Sequence, residues 1–256
     1  MKSRLFLVLI LFSFIVGCEK IEPVIDQVPD NIIPTKTCPT LYSRILELFP
    51  EFRNNEVKQA VLFTDTVQKS VVLTRDTEVY LTFISEGAGL RNTLGWYAYD
   101  SLTEPQNSKD FVSHVLFPNV SHNVLTVGDR LQLGDKKFKK GTVIGFFLIV
   151  GGWNSGTIDY SKRTHFTNYS LNLDRAQQHI LFEEKTCGDI VLAFEDLPVN
   201  DPTCDRDFND IIFTISDNNS NLKNSSFQQS RLVKLSRMMT GLAATSACRL
   251  KFTGVR

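Results

Sequence analysis

The sequence predicts an all-β protein: an antiparallel β-sandwich of jelly-roll-like form, with one short helix before it and an amphipathic tail after it. Three observations carry this. Short apolar runs recur between clusters of turn residues: Val71–Leu73, Val79–Phe83, Trp96–Tyr99, Val124–Val127, Val143–Val150, His179–Phe182, Ile190–Phe194 and Ile211–Ile215. No long stretch of helical periodicity interrupts the series. Phenylalanine is abundant (19 residues against two tryptophans), which suits side-chain packing between strands.

The chain opens with a targeting signal. Lys2 and Arg4 precede an apolar run from Leu5 to Val16 that is interrupted only by Ser13. The run is too short for a comfortable membrane span and reads as a signal h-region. It ends in Ile15-Val16-Gly17-Cys18, which resembles the bacterial lipobox. That resemblance implies cleavage before Cys18 and lipidation of its sulfur. Residues 1–17 are therefore expected to be a lipoprotein signal peptide, and the mature protein to sit in the bacterial cell envelope, on the outer membrane, held by lipid.

Residues 18–39 are rich in proline and read as a tether. Residues 40–70 hold a short helix and a lead-in strand. Leu41, Ile45, Leu48 and Phe49 fall at helical spacing, with Thr40 as N-cap and Pro50 as stop. Residues 71–216 form the sandwich, with Ile190–Phe194 and Ile211–Ile215 as neighbouring strands. Residues 217–256 are a basic linker and tail, with no acidic residue after Asp217. Leu232, Leu235, Met239 and Leu242 recur at helical spacing there, which predicts an amphipathic helix suited to an anionic surface or a partner.

Acidic and basic residues balance at 28 each, so no global field points to nucleic acid. With Cys18 taken by lipid, Cys38, Cys187, Cys204 and Cys248 allow three full pairings. In the expected hairpin Cys187 lies near Ser216, a strand length of roughly 20 Å from the loop that holds Cys204, so those two cannot be joined. No specific disulfide is predicted.

The densest chemistry lies between the last two strands. Glu195, Asp196, Asp205, Asp207, Asn209 and Asp210 place six side-chain oxygen donors in one short span. Crowded carboxylates repel one another unless a cation sits among them, and calcium suits an oxygen-only ligand set. Asp205, Asp207 and Asn209 alternate as the first ligands of an EF-hand do. Asp210 stands where that loop needs glycine, and no helix pattern follows, so the loop is not an EF-hand. The competing reading is a solvated acidic turn, with Arg206 neutralising part of the charge.

Glu86, at the start of a glycine-rich loop, and Asn92 are candidate ligand contacts, as are Trp96 and Trp153, which could stack on a sugar. In a strand Trp96 and Tyr97 point to opposite faces, and one of those faces is ordinarily core. The four histidines lack metal-ligand spacing, and neither a nucleophile elbow nor a phosphate loop occurs. Glu195 and Asp196 could act as a hydrolytic carboxylate pair, but strand neighbours point apart. No catalytic constellation is recognisable.

Several motifs carry a resemblance in their order. Glu86-Gly87-Ala88-Gly89 with Asn92 and Gly95-Trp96-Tyr97 comes first. Gly145-Phe146-Phe147-Leu148 and His179-Ile180-Leu181 follow, then Phe194-Glu195-Asp196-Leu197 with Asp205-Arg206-Asp207-Phe208-Asn209-Asp210. The set is similar to the bacterial domain-of-unknown-function family 4114, with the LruC-type domains of surface proteins, over about Val71 to Ser216. The resemblance implies a β-rich extracellular domain without an established activity. The sequence thus points to a lipid-anchored, calcium-binding envelope module with a structural or surface-interaction role and a glycan or protein partner. The alternatives are a carbohydrate-binding module using exposed aromatics and a hydrolase using the acidic cluster.

Overall fold

The computed structural model describes residues 27–217, Phe227 and Val233–Leu235. The signal segment, Cys18 and most of the basic tail lie outside the described residues. The described elements, in chain order, are β1 (Ile33–Pro34), α1 (Leu41–Leu48), α2 (Asn55–Lys58), β2 (Val71–Val72), β3 (Tyr80–Glu86), β4 (Asn92–Asp100) and β5 (His114–Val120). Then follow β6 (Asp129–Gln132), β7 (Thr142–Ile149), β8 (Trp153–Asn154), β9 (Thr157–Ile158), β10 (Thr164–Phe166), β11 (His179–Glu184), β12 (Asp189–Phe194), β13 (Ile211–Ser216) and β14 (Val233–Leu235).

Two sheets face each other, as the sequence predicts. One has the order β1-β6-β3-β13-β12-β11-β14; the other runs β10-β7-β4-β5, with β2 also paired to β7. The pairings are antiparallel except that of β14 with β11. β12 and β13 pair with Ile190 opposite Ile215 and Phe194 opposite Ile211, as expected.

The core between the sheets is built by alternate residues. Leu81 and Phe83 of β3, Ile190, Leu192 and Phe194 of β12, and Ile211, Phe213 and Ile215 of β13 meet Leu94 and Trp96 of β4 and Ile144, Phe146 and Leu148 of β7. The opposite residues of the same strands are buried too. Ile180, Phe182, Val191, Ala193 and Ile212 are covered by Leu41, Ile45 and Leu48 of α1, by Phe49, and by Val199 and Phe208 of the acidic loop. On the other sheet Tyr97, Phe147 and Ile149 lie under Phe111, Phe166 and Leu171. Burial on both faces explains why these strands read as unbroken apolar runs rather than alternating ones.

Several expectations need correction. Val124–Val127 is a turn, pinned where the Thr126 N–H donates to Asp129 Oδ2 (2.7 Å), and the strand begins only at Asp129. β5 is absent from the sequence reading because Pro118 breaks its pattern. As the edge strand of its sheet, with shifted register against β4, it tolerates the missing donor. Part of the expected tether is docked: β1 pairs with β6, and Cys38 is bonded to Cys187 across 149 residues. That disulfide, which the sequence did not predict, ties the lead-in of α1 to the turn between β11 and β12. Cys204 is free. Val233–Leu235, assigned above to a tail helix, is instead a strand. Its backbone meets the unpaired edge of β11, and Lys234 Nζ lies 2.9 Å from Glu183 Oε2. The remainder of that expected helix lies outside the described residues.

Gly145 faces Tyr97 across the β4–β7 pair, and a Cβ there would overlap the Tyr97 ring. The ring cannot retreat, because Phe111 stacks on it at 4.0 Å and Phe166 meets it edge-on. Gly145→Ala should therefore cost about 1–3 kcal/mol and lower the melting temperature by several degrees. An unchanged melt would contradict this packing.

His179 supplies a pH signature. Its ring is fully buried, its Nε2 lies 2.8 Å from the Lys69 carbonyl, and burial pushes its pKa from 6.5 down to about 4. Between those values the unfolded chain binds the proton that the native chain refuses, so this residue makes stability fall as pH drops from 6.5 towards 4. Denaturant unfolding of His179→Gln, compared with the parent between neutrality and about pH 4.5, should show a loss smaller by about 2–3 kcal/mol. Equal slopes for both proteins would refute the assignment.

Candidate metal centre

β12 ends at Phe194 and β13 begins at Ile211, so the acidic span 195–210 is the connection between two central strands. It folds back onto the molecule instead of projecting into water. Val199 and Phe208 belong to the layer that covers the seven-stranded sheet, and the Phe208 ring packs 4.9 Å from that of Phe63. Three carboxylates of the span are carried inside with these anchors. Glu195 is 1% exposed, Asp207 2% and Asp196 4%.

The side chains converge in two groups that share Glu195. Carboxylate oxygens of Glu195, Asp205 and Asp207 lie within 4.8 Å of one another, and so do those of Glu195, Asp196 and Asp210. Strand parity predicts that Glu195 and Asp196 diverge. The strand ends one residue earlier, and past its end both turn toward Asp210.

Arg206 does not neutralise the cluster. Its Nε donates to the Val199 carbonyl (2.8 Å), and its Nη1 lies 3.5 Å from Glu56 Oε2. Among the described residues no ion pair reaches any of these five carboxylates.

The loop is held by neutral hydrogen bonds. The Asp196 N–H donates to Asp210 Oδ2 (2.8 Å), the Gly87 N–H to the Asp210 carbonyl (2.8 Å) and the Phe52 N–H to Asp207 Oδ2 (3.0 Å). Asn209 Nδ2 donates to the Phe49 carbonyl (2.9 Å), and Asn55 Nδ2 to the Asp207 carbonyl (3.1 Å). The helical segment 41–58 thus clamps the loop from outside. Buried Asn55 is a supporting residue that sequence reading missed, because a lone asparagine in a polar stretch carries no pattern.

Arg206 and Phe208 have φ of +59° and +57°. That left-handed backbone, uncommon without glycine, turns the chain between Asp205, Asp207 and Asn209. The sharp turns that an EF-hand obtains from glycine are made here by residues pinned through their side chains.

Burial dominates the electrostatics. It pushes Asp210 up to about 9, with the charges of Glu195 and Asp196 adding to it, and Asp207 up to about 7, with Asp205 adding. Glu195 and Asp196 are raised for the same first reason. Carboxyls so placed resist ionisation unless positive charge enters among them. All six donors of the sequence reading lie on this one loop; five carboxylates converge, and Asn209 braces it.

The other candidates sit nearby or elsewhere. Glu86 pairs in register with Ile211, and its Oε2 accepts the His122 N–H (2.8 Å), so it anchors a neighbouring loop. Asn92 Nδ2 donates to Asp196 Oδ2 (2.9 Å), while its Oδ1 accepts the Gly151 N–H (2.8 Å), joining the second sheet to the site. Trp96 and Trp153 are each 7% exposed, so neither offers a flat sugar platform. Trp96 is stacked on His114 at 4.4 Å and belongs to the core between the sheets.

Residues 138–218 match a family model described as a domain of unknown function (DUF4114). The match covers the later part of the stretch over which the sequence motifs were traced, and the Glu86–Tyr97 motif lies before it. No curated protein and no solved structure matches the chain. The matched stretch takes in β7 to β13 and the whole of the acidic loop, so the chain is similar to that family over these residues.

Proposed function

We propose that this protein is a lipid-anchored module of the bacterial cell envelope in which calcium fastens the acidic loop to the sandwich, with a structural or surface-interaction role. One observation carries the reading: five carboxylates, three of them buried, converge in two groups around Glu195, and among the described residues no ion pair reaches them. An oxygen-only, carboxylate-rich site suits a hard cation, and the many fixed ligands favour calcium over magnesium. The burial of Glu195 and Asp196 speaks for holding an ion rather than reaching a substrate, which weakens the hydrolase alternative. The burial of Trp96 and Trp153 weakens the alternative that rests on those aromatics.

Calcium bound only by the folded state would add about 2.7 kcal/mol at a hundredfold excess over Kd, a rise in melting temperature of about 5–10 °C. Asp210→Asn should melt higher than the parent in chelator, because it removes a buried carboxyl that folding forces to take up a proton, and should lose the calcium response. Asp207→Ala should lose it as well. A parent protein that melts identically in chelator and in calcium would sink the site, as would variants that respond in full.

The anchor rests on Lys2, Arg4, the apolar run and Cys18. Cys18→Ser should release the protein from membranes or stall its processing. A variant that fractionates with membranes at the parent's mature mass would show that Cys18 carries no lipid.

A further inference from the structure

Away from the acidic loop, a small cavity of about 230 Å³ opens where the lead-in to α1 meets the turn between β11 and β12. Cys38, Cys187 and Asp189 line it, together with Lys36, Thr82 and Thr214. The sulfurs of the two cysteines and a carboxylate oxygen of Asp189 all lie within 4.8 Å of one another. In the oxidised chain the sulfurs are bonded to each other and carry no charge. Reduction leaves two thiols beside a carboxylate. Two thiolates and one carboxylate suit zinc, whereas calcium and magnesium prefer oxygen alone.

The surroundings support a cation there. Among the described residues no hydrogen bond or ion pair reaches the half-buried Asp189 carboxylate. The charge that acts on it is another carboxylate, Glu184, its partner in register across the β11–β12 pair. The frame does not depend on the sulfur bond alone. Glu184 Oε2 accepts the N–H groups of Thr186 (3.0 Å) and Cys187 (2.7 Å), which fixes the turn that carries Cys187. On the other side the Leu41 N–H donates to the Cys38 carbonyl (3.0 Å), and Leu41 is buried against the sheet. Zinc holds each sulfur at about 2.3 Å, so a tetrahedral site sets two sulfurs roughly 3.8 Å apart. Side-chain rotation on Cα atoms 5.9 Å apart accommodates that spacing. Thr40 Oγ1 lies 3.7 Å from Cys38 Sγ and 3.8 Å from Cys187 Sγ, where its hydroxyl can donate to a thiolate.

We propose that in the dithiol form of this protein Cys38, Cys187 and Asp189 bind zinc, with water from the cavity as fourth ligand. The ion then fastens the lead-in of α1 to the β11–β12 turn, as the disulfide does in the oxidised form. The test uses the mature chain, residues 18–256, with Cys18→Ser, Cys204→Ser and Cys248→Ser, so that only this pair of sulfurs remains. A phosphine reduces the disulfide to two thiols and becomes its oxide, taking oxygen from water. Cobalt(II) is then titrated in as a coloured substitute for zinc, with calcium in excess to occupy oxygen-only sites. The reduced chain should show the intense visible bands of tetrahedral cobalt and sulfur-to-cobalt charge transfer, and zinc should bleach both. The oxidised chain and the reduced Cys38→Ser variant should lack the two-thiolate spectrum. Asp189→Asn, which leaves the disulfide intact for folding, should weaken cobalt binding by about tenfold or more after reduction. Absence of the tetrahedral spectrum in the reduced chain, its persistence in Cys38→Ser, or undiminished affinity in Asp189→Asn would overturn the proposal. Two thiols in an unfolded chain would bind without regard to Asp189, so that variant also separates a built site from loose thiol binding.

Discussion

The structure depends on one constraint: the outer face of the seven-stranded sheet has to be covered. Ile180, Phe182, Val191, Ala193 and Ile212 point away from the inter-sheet core and would otherwise face water. At about 25 cal/mol per Å² of apolar surface, leaving such a face open forfeits several kcal/mol. The cover has two parts, the N-terminal helix with Phe49 and the loop residues Val199 and Phe208. The disulfide from Cys38 to Cys187 fixes the first part to the sheet.

That cover also determines the electrostatics. A loop that contributes Phe208 and Val199 to a buried layer takes some of its carboxylates out of solvent. Glu195, Asp196 and Asp207 are drawn inside with it, and burial raises their pKa values. Backbone amides and asparagine side chains satisfy part of the oxygen lone pairs, but none of them cancels charge. A hard cation would relieve this repulsion, and its effect would reach the whole cover, because the same loop carries both the ligands and the apolar anchors.

Much of this architecture was legible in the sequence. Strands with strong apolar runs, such as Ile211–Ile215, were readable because two buried faces leave few polar positions to blur the run. The helix at Leu41–Leu48 followed from Leu41, Ile45 and Leu48 at one-face spacing. β5 escaped because Pro118 and irregular pairing erase local signals. Val124–Val127 misled because Leu125 is apolar for burial in the core while its neighbours form a turn. Val233–Leu235 misled because an open sheet edge outweighed helical spacing.

The sequence by itself determined the all-β class, the pairing of the last central strands and the six oxygen donors of the acidic loop, since each is written in local pattern and composition. Only the tertiary structure decided that Glu195 and Asp196 converge, that Arg206 turns away to Glu56, and that Cys38 finds Cys187. These are contacts between residues distant in the chain, or orientations past the end of a strand. No local periodicity encodes them, because they follow from which surfaces the packed sheets require to be covered.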